Sequence, residues 1–205
     1  MHDQSTYTRR EDPFGSLAAD KMANLPPDGE ERELIKQTFL VGPTIYLRPL
    51  EMADAATAPF WSDCAYPISA DVMEERLRDE VPSANSNGTR KLIACRRSND
   101  SPIGSAEIRT IEGRVSDLTF CVPEVFGPLR RSEVTAEMIR LLVPWLIHEH
   151  DRMVVWVNAG ASDMLVRSAA LGVGMHQAFV LREAYTARGG KREDQIGYQP
   201  FHPPW

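Results

Sequence analysis

Residues Val115–Glu149 read VSDLTFCVPEVFGPLRRSEVTAEMIRLLVPWLIHE. The first eight residues carry the alternation and β-branched content of a strand. Pro123, Gly127 and Pro128 with Arg130 and Arg131 then read as a turn. From about Ser132 to Glu149, the residues Val134, Met138, Leu141, Leu142, Trp145 and Leu146 recur at the spacing of one helix face. Pro144 falls inside that helix and removes one backbone hydrogen bond, so a kink is expected there. A strand entering a helix through a basic turn brings free backbone N–H groups beside cationic side chains. Such a place suits a phosphate-bearing cofactor.

On the N-terminal side, Lys91–Arg96 and Ile103–Ile111 are two more strands, joined by SNDSPIG and followed by a hinge at Gly113. With Val115–Val122 they make a meander of neighbouring antiparallel strands. Before them, Thr44–Leu50 alternates as a strand ended by Pro49, and Glu51–Trp61 and Ala70–Val81 read as helices. Pro82–Thr89 is a loop by composition. On the C-terminal side, Met153–Asn158 is a short apolar run that suits a buried central strand. A helix over Ser162–Leu171 stops at Gly172-Val173-Gly174. Val180–Tyr185 and Glu193–Gln199 close the chain as a strand pair across ARGGK. Residues 1–38 are expected to be a flexible arm, with a short helix over Asp28–Lys36, and residues 39–205 a single domain.

The 205 residues carry 23 Lys plus Arg against 29 Asp plus Glu, a net charge of −6. That balance argues against nucleic acid as a partner and is compatible with a cationic amine. Cys64, Cys95 and Cys121 are odd in number and have no metal-ligand spacing, which suits a reducing compartment. His148 and His150 are two residues apart, so they do not share a helix face, and no metal site is expected. No apolar run approaches membrane length and no signal-peptide core is present, so the expected location is the cytoplasm, without membrane attachment.

Three stretches in order carry a resemblance to the GNAT N-acetyltransferase superfamily, in the branch of ribosomal-protein N-terminal acetyltransferases. Gly42-Pro43-Thr44-Ile45-Tyr46-Leu47-Arg48-Pro49-Leu50 with Asp54-Ala55 is similar to the branch's opening strand and first helix. Leu118–Pro123 and Thr135-Ala136-Glu137-Met138 resemble its central strand and cofactor helix. Val180-Leu181-Arg182-Glu183 and Gly190–Asp194 resemble its last strands and the turn between them. The resemblance implies an α+β (α/β/α) fold, with a mixed, mostly antiparallel sheet of about six to seven strands flanked by helices. It also implies direct transfer of an acetyl group from acetyl-CoA to the amine of a small molecule or protein N-terminus. The alternative is a protein of the same fold whose degenerate cofactor site serves a binding or regulatory role, or another ligand.

Roles follow from the resemblance residue by residue. Leu118, Phe120 and Val122 fall where the pantetheine arm lies, and Arg130, Arg131, Ser132, Val134 and Thr135 where the diphosphate sits. The family's small residues are replaced there by Glu133 and Thr135, unless the motif instead uses Gly127 with an insertion. The family's later Asn-x-x-Ser falls on Asp163 and Val166, or on Ala161 and Met164, and is absent in both registers. Asp117 matches an acidic position and is the first candidate for general base, with Glu107 in reserve. The aromatic tail ending at Trp205 has two readings, docking on its own domain or on a second subunit in a homodimer.

Overall fold

The computed structural model describes residues 38–62, 68–83, 88–111, 114–187 and 190–200. Residues 1–37 of the expected 1–38 arm, the Asp28–Lys36 helix, the hinge at Gly113, Cys64 and the tail over 201–205 lie outside them.

Eight strands form one sheet, β1 Leu40–Val41, β2 Ile45–Pro49, β3 Thr89–Arg96, β4 Pro102–Ile111, β5 Val115–Cys121, β6 Val154–Gly160, β7 Met175–Thr186 and β8 Arg192–Pro200. Their order across the sheet is β1-β2-β3-β4-β5-β6-β8-β7. All neighbours are antiparallel except β5 and β6, which run parallel through the crossover helix that connects them. Among the described residues, a 3-10 segment, Met52–Phe60, a single 3-10 turn, Glu124–Phe126, and three α-helices complete the fold: α1 Ala70–Ser83, α2 Gly127–His148 and α3 Met164–Gly172.

The sheet has a core on each face. On one, Leu118, Val122, Val155, Val157, Ile196 and Tyr198 pack with Val134, Met138 and Leu142 of α2 and Val166 and Ala169 of α3. On the other, Tyr46, Ile93 and Cys95 meet Ala55, Ala58 and Trp61 of the 3-10 segment and Met73 and Leu77 of α1. The 3-10 segment is pinned by a buried carboxylate. Asp54 binds Arg48 through both oxygens, at 2.8 and 2.5 Å, and accepts from the Glu51 N–H at 2.8 Å. Its own carbonyl accepts from Trp61 Nε1 at 3.0 Å. That geometry explains the Arg48-Pro49-Leu50…Asp54 pattern as a clamp between β2 and the following turn. Donating to the Asp54 carboxylate raises the Arg48 guanidinium above its already high ordinary value.

Burial also raises the Cys95 thiol and the Tyr46 phenol above their ordinary values. Both groups are favoured as neutral in the folded state. Their contribution to stability is complete below the unfolded pKa values, about 8.5 and 10, and is lost as pH rises through that range. The midpoint of urea unfolding is therefore expected to hold up to about pH 8 and to fall above it, with Cys95→Ala blunting the first part of the fall. A midpoint unchanged to about pH 11 would contradict this reading.

Three elements differ most from the sequence reading. Helix α2 begins at Gly127, with Pro128 in its first turn, rather than at Ser132. Proline is well suited to that position because it has no N–H to leave unpaired. The expected helix over Glu51–Trp61 is 3-10 in geometry and contains Pro59. Strand β7 starts at Met175 rather than Val180, because β8 pairs with it from Met175↔Pro200 onward.

Candidate functional site

The site is made by a fork between the two parallel strands. β5 and β6 pair at Val115↔Val154, Ser116↔Val155, Asp117↔Trp156 and Leu118↔Val157, and there the pairing stops. Beyond it, β5 continues alongside β4 as far as Cys121, while Asn158, Ala159 and Gly160 of β6 pair with β8. The side of Thr119 and Phe120 that faces β6 thus has no strand beside it.

A cavity of about 670 Å³ occupies the opening of this fork. Phe120, Val122 and Pro123 line it from the end of β5, and Arg131 and Thr135 from the first turns of α2. Asp163, Leu165 and Val166 line it from the start of α3, and Ala58, Pro59 and Ser62 from the 3-10 segment. Tyr185 and Glu193 close it from β7 and β8. Ser105 Oγ donates to the Trp61 carbonyl at 2.7 Å and so ties the 3-10 wall to β4.

The far wall depends on a glycine. A Cβ on Gly160 would lie 2.7 Å from the Tyr185 ring and 2.0 Å from Glu193 Oε1. The missing side chain lets the phenol and the carboxylate lie directly against β6. Glu193 also accepts from Ser162 N and Oγ, at 3.2 and 2.9 Å, which fixes the loop before α3.

The residues proposed from sequence separate into groups. Phe120, Val122, Arg131, Thr135 and Asp163 reach the cavity. Leu118 and Val134 do not; both are buried in the core on the α2 face. Arg130 is turned away and pairs with Glu133 at 3.5 Å on the exposed side of α2. Glu133 therefore lies outside the cavity, and no carboxylate from that position opposes a bound anion. Ser132 belongs to the helix and is not part of the lining. Arg131 does face inward, with Nε donating to the Val122 carbonyl at 2.7 Å. Asp163 accepts from the Val166 N–H at 3.2 Å and so caps α3.

The two candidate bases lie on the face opposite α2, deeper than the lining. Asp117 is 4% exposed and both its oxygens are engaged, Oδ2 by Arg109 Nη2 at 2.5 Å and Oδ1 by Asn158 Nδ2. Glu107 lies on the same face between Lys91 and Thr119, its cross-strand neighbours. It is half-buried, and its side chain forms no hydrogen bond or ion pair with another described residue. Of the two carboxylates, Asp117 accepts a hydrogen bond at each oxygen, while Glu107 accepts none from another described residue.

His150 stands edge-on to Trp145, with ring centroids 4.1 Å apart. Among the described residues, no three His, Cys, Asp or Glu side chains converge as metal ligands, and no helix is long and apolar enough to cross a membrane. The sequence reading missed Tyr185, Glu193 and Ser162 as parts of the wall. Nothing local marks them, because β8 has to insert between β6 and β7 before they meet.

The same architecture recurs among solved structures. An assigned acetyltransferase of Sphaerobacter thermophilus is similar at 29% identity and a TM-score of 0.58, over 82% of this chain and 100% of that one. The ribosomal-protein-S5-alanine acetyltransferase of Vibrio fischeri matches at 11% identity and a TM-score of 0.60, over 82% and 98%. A GNAT-family acetyltransferase of Bacillus anthracis matches at 9% and 0.64, over 78% and 96%. This is the GNAT fold. The likeness supports acetyl transfer in general. The chain matches no family model and no curated protein.

In a GNAT fold the fork between β5 and β6 is where a thioester cofactor would enter, and the donor set fits one. The edge of β5 at Thr119 and Phe120, past the last pair with β6, suits the amides of a pantetheine arm. The Arg131 guanidinium, beside the start of α2, suits a phosphate group.

Proposed function

We propose that this GNAT-fold protein transfers an acetyl group from acetyl-CoA to a primary amine, of a small molecule or a protein N-terminus. The observation that carries the reading is the fork at Leu118 and Val157, opening into a cavity that reaches both faces of the sheet. On the α2 face, Arg131, Thr135 and the Thr119–Cys121 backbone would hold acetyl-CoA, which when bound supplies the acetyl group as a thioester. On the other face, the 3-10 segment, Cys121 and Tyr185 bound the side from which an amine approaches.

An amine must lose its proton to be nucleophilic, and most amines are cationic at neutral pH. Glu107 is the base in this reading, because its carboxylate is half-exposed and uncommitted. Its pair Glu107↔Thr119 lies two residues along β4 and β5 from Ser105↔Cys121, whose Cys121 lines the cavity. Side chains on one face of a strand recur every ~6.8 Å, a span that Glu107 and one bridging water cover. The acidic surface balance, −6 overall, favours a cationic acceptor.

A second reading, a binding module for another ligand, has one observation on its side. Among the described residues, Glu124, Asp163 and Glu193 line the cavity against the guanidinium of Arg131. Asp163 is engaged by the α3 cap and Glu193 by Ser162, and Glu124 also has a partner, which lessens their opposition to an anion.

Thermal unfolding with acetyl-CoA, with CoA and without ligand separates the two. Ligand at about 100 times its dissociation constant adds about 2.7 kcal/mol of stability, which raises Tm by about 5–10 °C in a domain of this size. No shift at millimolar acetyl-CoA would reject the transferase reading.

A further inference from the structure

Asp117 belongs to a polar cluster at the apex of the fork that the transfer chemistry above leaves without a role. Its two oxygens accept from Arg109, on the neighbouring strand β4, and from Asn158, on β6. Asn158 is the first residue of β6 past the last pair with β5. Its Nδ2 is committed to Asp117, so its Oδ1 points away from that carboxylate. Oδ1 is buried and has no hydrogen-bond donor among the described residues.

An acceptor oxygen shielded from water and left unpaired is unfavourable, so one held in a fixed orientation calls for a donor. The orientation here is imposed from behind. Asp117 is 4% exposed, and the Arg109 guanidinium holds its second oxygen. Asp117 thereby keeps the amide nitrogen turned toward itself and the carbonyl oxygen turned away. The cluster lies on the face of the sheet opposite α2 and outside the cavity lining; two residues further along β6 is Gly160, against which Tyr185 and Glu193 form the cavity wall.

Resting on the acetyl-transfer reading, we infer that Asn158 Oδ1 accepts an N–H of the reacting molecules, and that Asp117 is the residue that positions it. An N–H can come from the acceptor amine or from an amide of the acetyl-CoA arm, and the two sources separate experimentally. In either case Asp117 is not the base. Each of its oxygens already accepts a hydrogen bond, and Asp117 is not among the residues that line the cavity, so in this reading it orients its neighbours.

The test uses the full chain, with spermidine and an alanine-initiated peptide as amine probes and calorimetry for acetyl-CoA binding. Asn158→Leu removes Oδ1 at similar volume and is expected to raise the KM of the amine probe about tenfold, with the acetyl-CoA Kd within about twofold. A tenfold rise in that Kd instead supports the inference and places the N–H in acetyl-CoA. Both constants within twofold of wild type would overturn it. Should Asn158→Leu not fold, as judged by circular dichroism, Asn158→Ser answers the same question.

Asp117→Asn is expected to raise the same constant as the Asn158 variant while kcat keeps its fall at acid pH. Loss of that acid limb would identify Asp117 as the base and overturn the positioning role. A wild-type protein that neither binds acetyl-CoA nor acetylates either probe would refute the parent reading and this inference together. That outcome is recognisable because it appears without any substitution.

Discussion

Glu107→Gln is expected to lower kcat for amine acetylation by about 10²- to 10⁴-fold, the usual contribution of a general base. Acetyl-CoA affinity should remain within about twofold, because Glu107 lies on the face of the sheet opposite Arg131 and Thr135. The substitution keeps the size of the side chain and removes its ability to take a proton. Glu107 makes no hydrogen bond or ion pair with another described residue, so its replacement leaves no buried partner stranded and stability should hardly change. Following thiol release at saturating acetyl-CoA, alongside thermal unfolding, checks both parts. An unchanged kcat would remove Glu107 from the chemistry. A lower kcat with an equal loss of stability would point to a structural role instead.

The largest effect on stability should come from Glu137. Its carboxylate, 9% exposed, accepts from Thr44 N at 2.8 Å, Thr44 Oγ1 at 2.5 Å and Ile45 N at 3.0 Å. It thus ties the β1–β2 turn to α2 across 93 residues of chain. Glu137→Ala leaves those donors without their acceptor and is expected to cost about 3 kcal/mol. For a domain of this size that lowers Tm by about 6–12 °C. Glu137→Gln keeps one carbonyl oxygen and should lose distinctly less. Chemical unfolding of the two variants decides, and equal stability of Glu137→Ala and wild type would refute the clamp. The same contact explains Gly42, where a Cβ would lie 2.4 Å from Glu137 Oε1. The Gly-Pro-Thr and Thr-Ala-Glu patterns that suggest a cofactor enzyme are thus, at Gly42, Thr44 and Glu137, a fold clamp.

Much of the architecture was legible because it is local. The meander of β3, β4 and β5 follows from alternation and short turns, and α2 and α3 from apolar spacing on one face. The start of α2 was misread because Gly-Pro-Leu-Arg-Arg satisfies the composition of a turn and of a first helical turn equally well. Only helix formation from Gly127 separates Arg131, turned to the cavity, from Arg130, turned to solvent with Glu133. One residue along a helix rotates a side chain by about 100°, so an error of a few residues in the start reassigns the whole anion site.

The roles of the two carboxylates divide in the same way. The sequence by itself determined that a strand, a helix and a meander would place Asp117 and Glu107 in one sheet, because short-range patterning decides which segments become strands. It could not decide which carboxylate remains free. Arg109 reaches Asp117 across the β4–β5 hairpin, and Asn158 arrives from 41 residues away through the parallel pairing of β6. Tyr185 and Glu193 enter the cavity only once β8 has inserted between β6 and β7. Tertiary structure alone decided these points, because hydrogen bonds and close contacts depend on distances that long-range strand pairing sets and local sequence does not.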